Sequence, residues 1–327
     1  MWYNDWQTLC LDYKKHIVRI AIISNTDTFI PFAYALASSG DPLMQVHLFF
    51  SASPDEFVNQ KVISFTKQLN ISLTEEKNAN DLYKWLPAGN FDVCFMLGYG
   101  ALINLERLKS FHGKFYNIHF GVLPQFRGPV PVFWQLKLGI EKIGLAIHEV
   151  TEKFDAGPII WIKEVENQPH YNYELVNQLL GQLTVEGVIY ILRLLMNQMP
   201  VPVMNRNNIK PGYYKRPELK DIMIDWHQMS AFEICNLVRA GNPWNKGALT
   251  FLNGQELKVM DARVVVPLVK PIDKQLSPGV IAEDEGELFV CCKDGNMISI
   301  NMLFCNNCFI PAYQGKLWGF LKGQRIG

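Results

Sequence analysis

Through the first half of the chain, short apolar runs rich in β-branched residues alternate with stretches whose apolar positions recur every three to four residues. VRIAIIS (Val18–Ser24), VHLFFS (Val46–Ser51), ISLTEE (Ile71–Glu76), DVCFML (Asp92–Leu97) and KFYNIH (Lys114–His119) have the length and composition of buried strands. Pro31–Ser38, Glu56–Leu69 and Asp81–Leu86, lying between them, have helical spacing. This alternation predicts an α/β fold with a doubly wound, mostly parallel sheet. Leu145–Val150 and Ile159–Val165 add two strands joined by TEKFDAGP, and a long helix over Tyr173–Met196 closes the domain.

The pattern changes at Met199. Met199–Asp221 holds four prolines and little apolar periodicity, which reads as a linker. A helix over Ala231–Arg239 then leads through GNPW to the short strands ALTFLN, ELKVMDARVVV, GVIAED, ELFVCC and MISINMLF. One helix followed by several short strands predicts a small β-rich, OB-like domain. The expected organisation is an N-terminal extension at 1–16, a catalytic domain at 17–198, a linker at 199–222 and the OB-like domain at 223–327. Asn242-Pro243-Trp244 reads as a helix-ending turn with a core tryptophan.

Composition narrows the class. Apolar residues make up 49% of the 327 and charged ones 19%, a globular balance rather than a disordered one. Thirty-one basic against thirty-one acidic residues leave a formal net charge of zero, so no global field draws in nucleic acid. The basic run Arg206, Lys210, Lys215, Arg216 and Lys220 reads as a solvated linker rather than a phosphate-binding strip. Apolar stretches such as Ile17–Ile23 are strand-sized, well short of the roughly 20 residues a membrane span needs. Met1–His16 lacks the basic start and apolar core of a secretory signal, and an odd count of seven cysteines suits a reducing cytoplasm. Cys291-Cys292 and Cys305-x-x-Cys308 hint at zinc, but adjacent cysteines on a strand face opposite ways. Free thiols and no metal are therefore expected.

Two nucleotide-binding classes fall away. SNTDTFIP after the first strand has no glycine, so the turn that lets a pyrophosphate approach the backbone is missing. The P-loop pattern is absent as well.

The densest chemistry lies in FYNIHFGVLPQFRGPVPVFW, Phe115–Trp134. Asn117 and His119 are two apart at a strand end, so they share one face. Carboxyl ends of strands are where parallel sheets bind ligands. The proline-rich loop that follows is stiff. Asp155, thirty-six residues beyond His119, sits in a loop between two strands and can reach it. An amide, an imidazole and a carboxylate suit acyl transfer to an amine. Asn117 and a protonated His119 donate to the oxygen that gains charge, and Asp155 favours the charged ring and helps take the amine's proton. His148, on an expected strand, reads as structural, with its closeness to the cleft loop leaving a role in the site open. Arg127 either anchors its loop or meets an anion.

These residues resemble the signature of the 10-formyltetrahydrofolate-dependent formyltransferases. That pattern runs Asn-x-His, a Leu-Pro-x-aromatic-Arg-Gly loop, a proline, a Trp-containing helix and a later Asp-x-Gly. It is matched by Asn117, His119, Leu123, Pro124, Phe126, Arg127, Gly128, Pro131, Trp134, Asp155 and Gly157. The resemblance implies that Asn117, His119 and Asp155 form the catalytic trio of an N-formyltransferase whose donor is 10-formyltetrahydrofolate. It also implies a pterin cradled by the backbone around Phe95–Gly100 and Val150–Asp155. Phe95, Leu97, Gly98, Tyr99, Gly100, Leu123, Pro124, Arg127 and Val150 are the folate-binding candidates, Tyr99 either packing beneath the pterin or serving the core. IDW at Ile224–Trp226 and VRAGNPWNKGALT at Val238–Thr250 extend the likeness to the C-terminal domain of methionyl-tRNA formyltransferase and of the UDP-aminoarabinose formyltransferase.

Two departures bear on the acceptor. Bacterial methionyl-tRNA formyltransferases open with Gly-Thr-Pro and carry a basic loop after the second strand. Here Ser24-Asn25-Thr26 takes that place, and Phe50–Glu56 has no basic residue. The expected acceptor is therefore a small primary amine such as a nucleotide-linked amino sugar, with methionyl-tRNA as the alternative. A hydrolase releasing formate from the same donor would share the trio.

Overall fold

The computed structural model describes residues 17–265, 276–284 and 287–327. The extension at 1–16, with Cys10, lies outside the described residues, as does the last position of the strand expected to end at 266.

Among the described residues there are two sheets. The first contains β1 (Val18–Ser24), β2 (Met44–Phe50), β3 (Ser72–Glu75), β4 (Val93–Leu97), β5 (Lys114–His119), β6 (Lys142–Glu149) and β7 (Ile159–Glu166). Its order is β3-β2-β1-β4-β5-β6-β7, and the pairs β2–β3, β1–β2, β1–β4 and β4–β5 are parallel. β1 and β4 read as unbroken apolar runs because both faces are covered: Ile20–Ile23 and Val93–Phe95 are fully buried. The strand order reverses between β1 and β4, which makes their carboxyl ends the topological switch point.

The helices α1 (Ile30–Ala37), α2 (Glu56–Gln68) and α3 (Asp81–Ala88) connect the first four strands. Pro31 opens α1, where a missing N–H costs nothing. Asp55 caps α2 by accepting from the Phe57 amide at 2.9 Å. α4 (Pro131–Lys137) follows the proline loop, where only the resemblance implied a helix. α5 (Tyr173–Met196) has the expected bounds. It is long and apolar enough, by length and composition, to cross a membrane, so the apolar stretches are not all strand-sized. Val176, Leu180, Thr184, Val188 and Ile191 are nevertheless fully buried along it, the pattern of a core helix.

The second sheet is antiparallel. β8 (Ala248–Leu252), β9 (Gln255–Val265), β10 (Ile281–Asp284), β11 (Glu287–Cys291) and β12 (Met297–Cys305) stand in the order β10-β11-β12-β9-β8, and β13 (Cys308–Pro311) pairs with β12. β13 escapes periodicity because it is short. It forms through Asn306 and Asn307, both at positive φ, the two-residue turn that matches strand twist. Cys305 and Cys308 flank that turn as a cross-strand pair. Among the described residues no group of three or more metal-ligating side chains occurs. Burial pushes the Cys292 thiol up to about 12. The short α6 (Leu219–Ile222) precedes α7 (Ala231–Gly241), whose capping box joins Ser230 and Glu233. Trp244 is no core residue: it is half exposed, edge-on to Phe133, with its Nε1–H donating to the Ala240 carbonyl at 2.8 Å.

The described chain forms two compact units that interleave along the sequence. One comprises 17–119, 147–161 and 181–204; the other comprises 120–146, 162–180 and the described residues from 205 on. In the second unit the expected linker does not run free. Gly212 N–H donates to Pro124 O at 3.1 Å, Arg127 N–H to Gly212 O at 3.2 Å and Tyr214 N–H to Arg127 O at 2.9 Å. Tyr214 stacks on Phe126 with ring centroids 5.4 Å apart.

Candidate active site

The first unit brings Asn117, His119 and Asp155 together. Asn117 and His119 end β5 on one face, as their spacing requires. Asp155 lies in the turn between β6 and β7 at φ +49°, a conformation that aspartate tolerates better than most residues. Gly157 shows why the motif needs a glycine there. A Cβ at that position would stand 1.8 Å from the Glu149 carbonyl oxygen. The loop is thus folded hard against the end of β6, and Asp155 is pressed toward β5.

Asp155 Oδ1 lies 3.4 Å from His119 Nδ1, 3.4 Å from Asn117 Nδ2 and 3.6 Å from His148 Nε2. The side chains of His119, Asp155 and His148 are only 7%, 9% and 3% exposed, so the group interacts at low effective dielectric. His148 belongs to the same cluster. Its Nδ1 is 2.8 Å from the Glu149 carbonyl and must donate to it. That leaves Nε2 as an acceptor for the Asn117 amide at 3.0 Å. The Asn117 N–H groups therefore face His148 and Asp155. A proton on His119 Nδ1 points at the carboxylate, which leaves Nε2 on the far side of the ring.

In the first unit, two of the folate candidates are core residues. Phe95 is fully buried, stacked 5.9 Å from Tyr116 and edge-on to Phe32, so its side chain supports the sheet instead of lining a surface. Leu97 is 4% exposed. Gly98 and Gly100 are exposed and Tyr99 and Val150 partly so. Gly98 has φ +75° and comes so near Thr26 that a Cβ would sit 2.8 Å from its methyl. The Val150 amide is committed to the Phe115 carbonyl at 3.0 Å. Tyr99 donates its hydroxyl to Glu76 at 2.7 Å. In the second unit, Leu123 is buried, Pro124 accepts from Gly212, and Arg127 holds its loop through backbone bonds while its Nε makes no hydrogen bond. Of the basic run, Arg206 pairs with Glu164 at 3.3 Å and Lys220 with Glu218 at 2.9 Å.

Sequence reasoning read His148 as structural while leaving a site role open, and did not single out Glu76. The signal for His148 was its place beside the loop that carries Asp155; Glu76 had none.

A doubly wound sheet with an amide–imidazole–carboxylate cluster at its strand ends is followed by a small antiparallel sheet. Residues 18–194 match the family described as Formyl transferase, and residues 218–304 match the one described as Formyl transferase, C-terminal domain. The first match covers more than half of the chain, and the chain belongs to the formyl transferase family. It is 29% identical over 205 residues to the methionyl-tRNA formyltransferase of Thermotoga neapolitana, which is 63% of this chain and 64% of that protein. The chain thus spans just under two thirds of that relative's length. It is 26% identical over 237 residues to the methionyl-tRNA formyltransferase of Thermodesulfovibrio yellowstonii, 72% of this chain and 73% of that one. Among solved structures, it resembles WlaRD, a sugar 3N-formyl transferase crystallised with dTDP and 5-N-formyl-THF. The TM-score is 0.65 at 17% identity, over 87% of this chain and 97% of that one. It resembles an N-formyltransferase from Helicobacter canadensis in complex with folinic acid and dTDP-3-aminofucose, with a TM-score of 0.63 at 17% identity, over 86% and 98%. At such identities the likeness is one of fold.

Proposed function

We propose that this protein transfers a formyl group from 10-formyltetrahydrofolate to the primary amine of a small acceptor, such as a nucleotide-linked amino sugar. The observation that carries the chemistry is the convergence of Asn117, His119 and His148 on one Asp155 oxygen. The residues fit the donor. The turn after β4 is exposed, backed by the half-buried Tyr99 and Val150, and a Cβ at Gly100 would meet nothing within 4 Å. Such an open, apolar-backed rim suits a flat heteroaromatic ring.

The donor supplies an activated formyl carbonyl. His119 donates from Nε2 to its oxygen as negative charge builds there, and Asn117 joins it once its amide turns away from His148 and Asp155. Asp155, 3.4 Å from His119 Nδ1, holds the ring in one orientation and stabilises positive charge on it. As the new C–N bond forms, the attacking amine loses a proton to the carboxylate, directly or through a water; the bond from the formyl carbon to the donor nitrogen then breaks, and that nitrogen leaves with a proton.

Zero net charge and the absence of basic residues in 50–56 support the small acceptor over tRNA. The second reading, methionyl-tRNA, rests on the names of the sequence relatives. The test is a formylation assay with 10-formyltetrahydrofolate, comparing a panel of amino-sugar nucleotides with initiator methionyl-tRNA at near-physiological salt. Product from a sugar nucleotide is expected. Efficient formylation of the tRNA alone would reverse the assignment, and formate without any formylated amine would indicate the hydrolase.

A further inference from the structure

Tyr99 lies between Gly98 and Gly100, directly after β4. Two glycines leave the backbone of this turn more freedom than any other pair of residues. What restrains it is the tyrosine side chain, held at both ends. Its ring packs on the cluster built from Leu82, Leu86, Ile103 and Leu108. Its hydroxyl donates to Glu76 Oε1 at 2.7 Å, across twenty-three positions of sequence. Glu76 is itself anchored: it follows β3 directly, and its amide donates to the Phe50 carbonyl at the end of β2 at 2.8 Å. The tether therefore links the carboxyl ends of β2, β3 and β4, next to the switch point of the sheet.

We propose that Glu76 is a positioning residue for the formyl donor. Through Tyr99 it holds the turn 98–100 in the one shape that seats the folate ring. This rests on the folate reading above. A carboxylate serves the task well, because a hydrogen bond to an ionised group is stronger than a neutral one. Burial and the neighbouring carboxylate push the Tyr99 phenol well above its usual range, so the hydroxyl remains a donor throughout the working pH. Without the tether the turn samples many shapes. Apparent affinity then falls in proportion to the fraction that is competent to bind.

The test is equilibrium binding of 5-formyltetrahydrofolate and tetrahydrofolate to the full chain, with thermal melts alongside. Glu76→Ala and Tyr99→Phe should each weaken binding about tenfold, the loss expected for one charge-assisted hydrogen bond. The double variant should be no worse than either single one, because both remove the same bond. Glu76→Gln keeps an acceptor oxygen and should recover most of the affinity. Glu75→Ala, a change at the exposed neighbour, should bind as wild type. The donor KM should rise in the tether variants while kcat at saturating donor stays within about twofold. Tyr99→Phe removes a single oxygen and tests the idea even if Glu76→Ala folds poorly. Wild-type affinity in both single variants, or losses that multiply in the double, would overturn the proposal while leaving the folate reading intact. If the wild-type protein binds neither folate, that reading fails and this proposal falls with it.

Discussion

At the scale of the residue, His148 changes the expected chemistry of Asn117. The Asn117 amide was expected to face an oxyanion, yet it donates to His148 Nε2 at 3.0 Å. His148 therefore governs which way that amide points. His119→Ala should lower turnover about a hundred- to a thousandfold, the usual loss for one oxyanion donor. Asn117→Ala should cost a similar factor, and the double variant less than the product, because the two act as a unit. His148→Ala should cost about tenfold, the equivalent of one strained or misdirected hydrogen bond, and His148→Gln should restore part of it by supplying an acceptor. Steady-state formylation with thermal melts checks all of these. A His119→Ala protein that melts normally and keeps most of its turnover would refute the mechanism.

At the scale of the element, α7 is secured by one half-buried arginine. Arg239 Nη1 donates to Asn167 Oδ1 at 2.7 Å and to the carbonyls of Tyr171 and Gln168 at 3.2 and 3.3 Å. Nε and Nη2 both reach Asn236 Oδ1. Burial pulls the Arg239 pKa down to about 10, the mark of a charge held mostly by neutral acceptors. Arg239→Met should destabilise the fold by about 1–2 kcal/mol, because several part-buried acceptors lose their donor together. Arg239→Lys should rescue little of it, since an ammonium cannot span acceptors placed for a planar fork. Denaturant unfolding followed by fluorescence provides the measurement. A loss below about 0.5 kcal/mol would show that water replaces the guanidinium.

At the scale of the whole molecule, charge balance separates the two acceptor readings. Phosphate neutralisation dominates protein–nucleic acid affinity and makes it fall steeply with salt. A chain with 31 basic and 31 acidic residues has no surplus to spend on a long polyanion. Lys210, Lys215 and Arg216 are exposed beside the segment that ladders onto the proline loop, which is enough for a few phosphates. Repeating the acceptor assay at about 50 and 200 mM salt should therefore leave the KM for a sugar nucleotide nearly unchanged. A steep rise in KM would argue for a polyanionic acceptor.

Much of this protein is written in local pattern. Strand bounds at Val18–Ser24 and Lys114–His119 and helix bounds at Tyr173–Met196 follow from periodicity and flanking residues alone. The pairing of Asn117 with His119 follows from the period of a strand, and the stiffness of the loop beyond them from its prolines. Asp155 was legible because its loop had to close between two neighbouring strands. Contacts that depend on sheet order were not. His148 meets Asn117 across 31 positions, Tyr99 meets Glu76 across 23, and Gly212 meets Pro124 across 88. No spacing rule reaches that far, because the partner is chosen by which strands lie side by side and where their ends stop. Composition made the run 206–220 look like a solvated linker. Only the folded chain turns 212–214 into a partner of the loop after β5, where unpaired backbone groups of the loop found the donors and acceptors they needed.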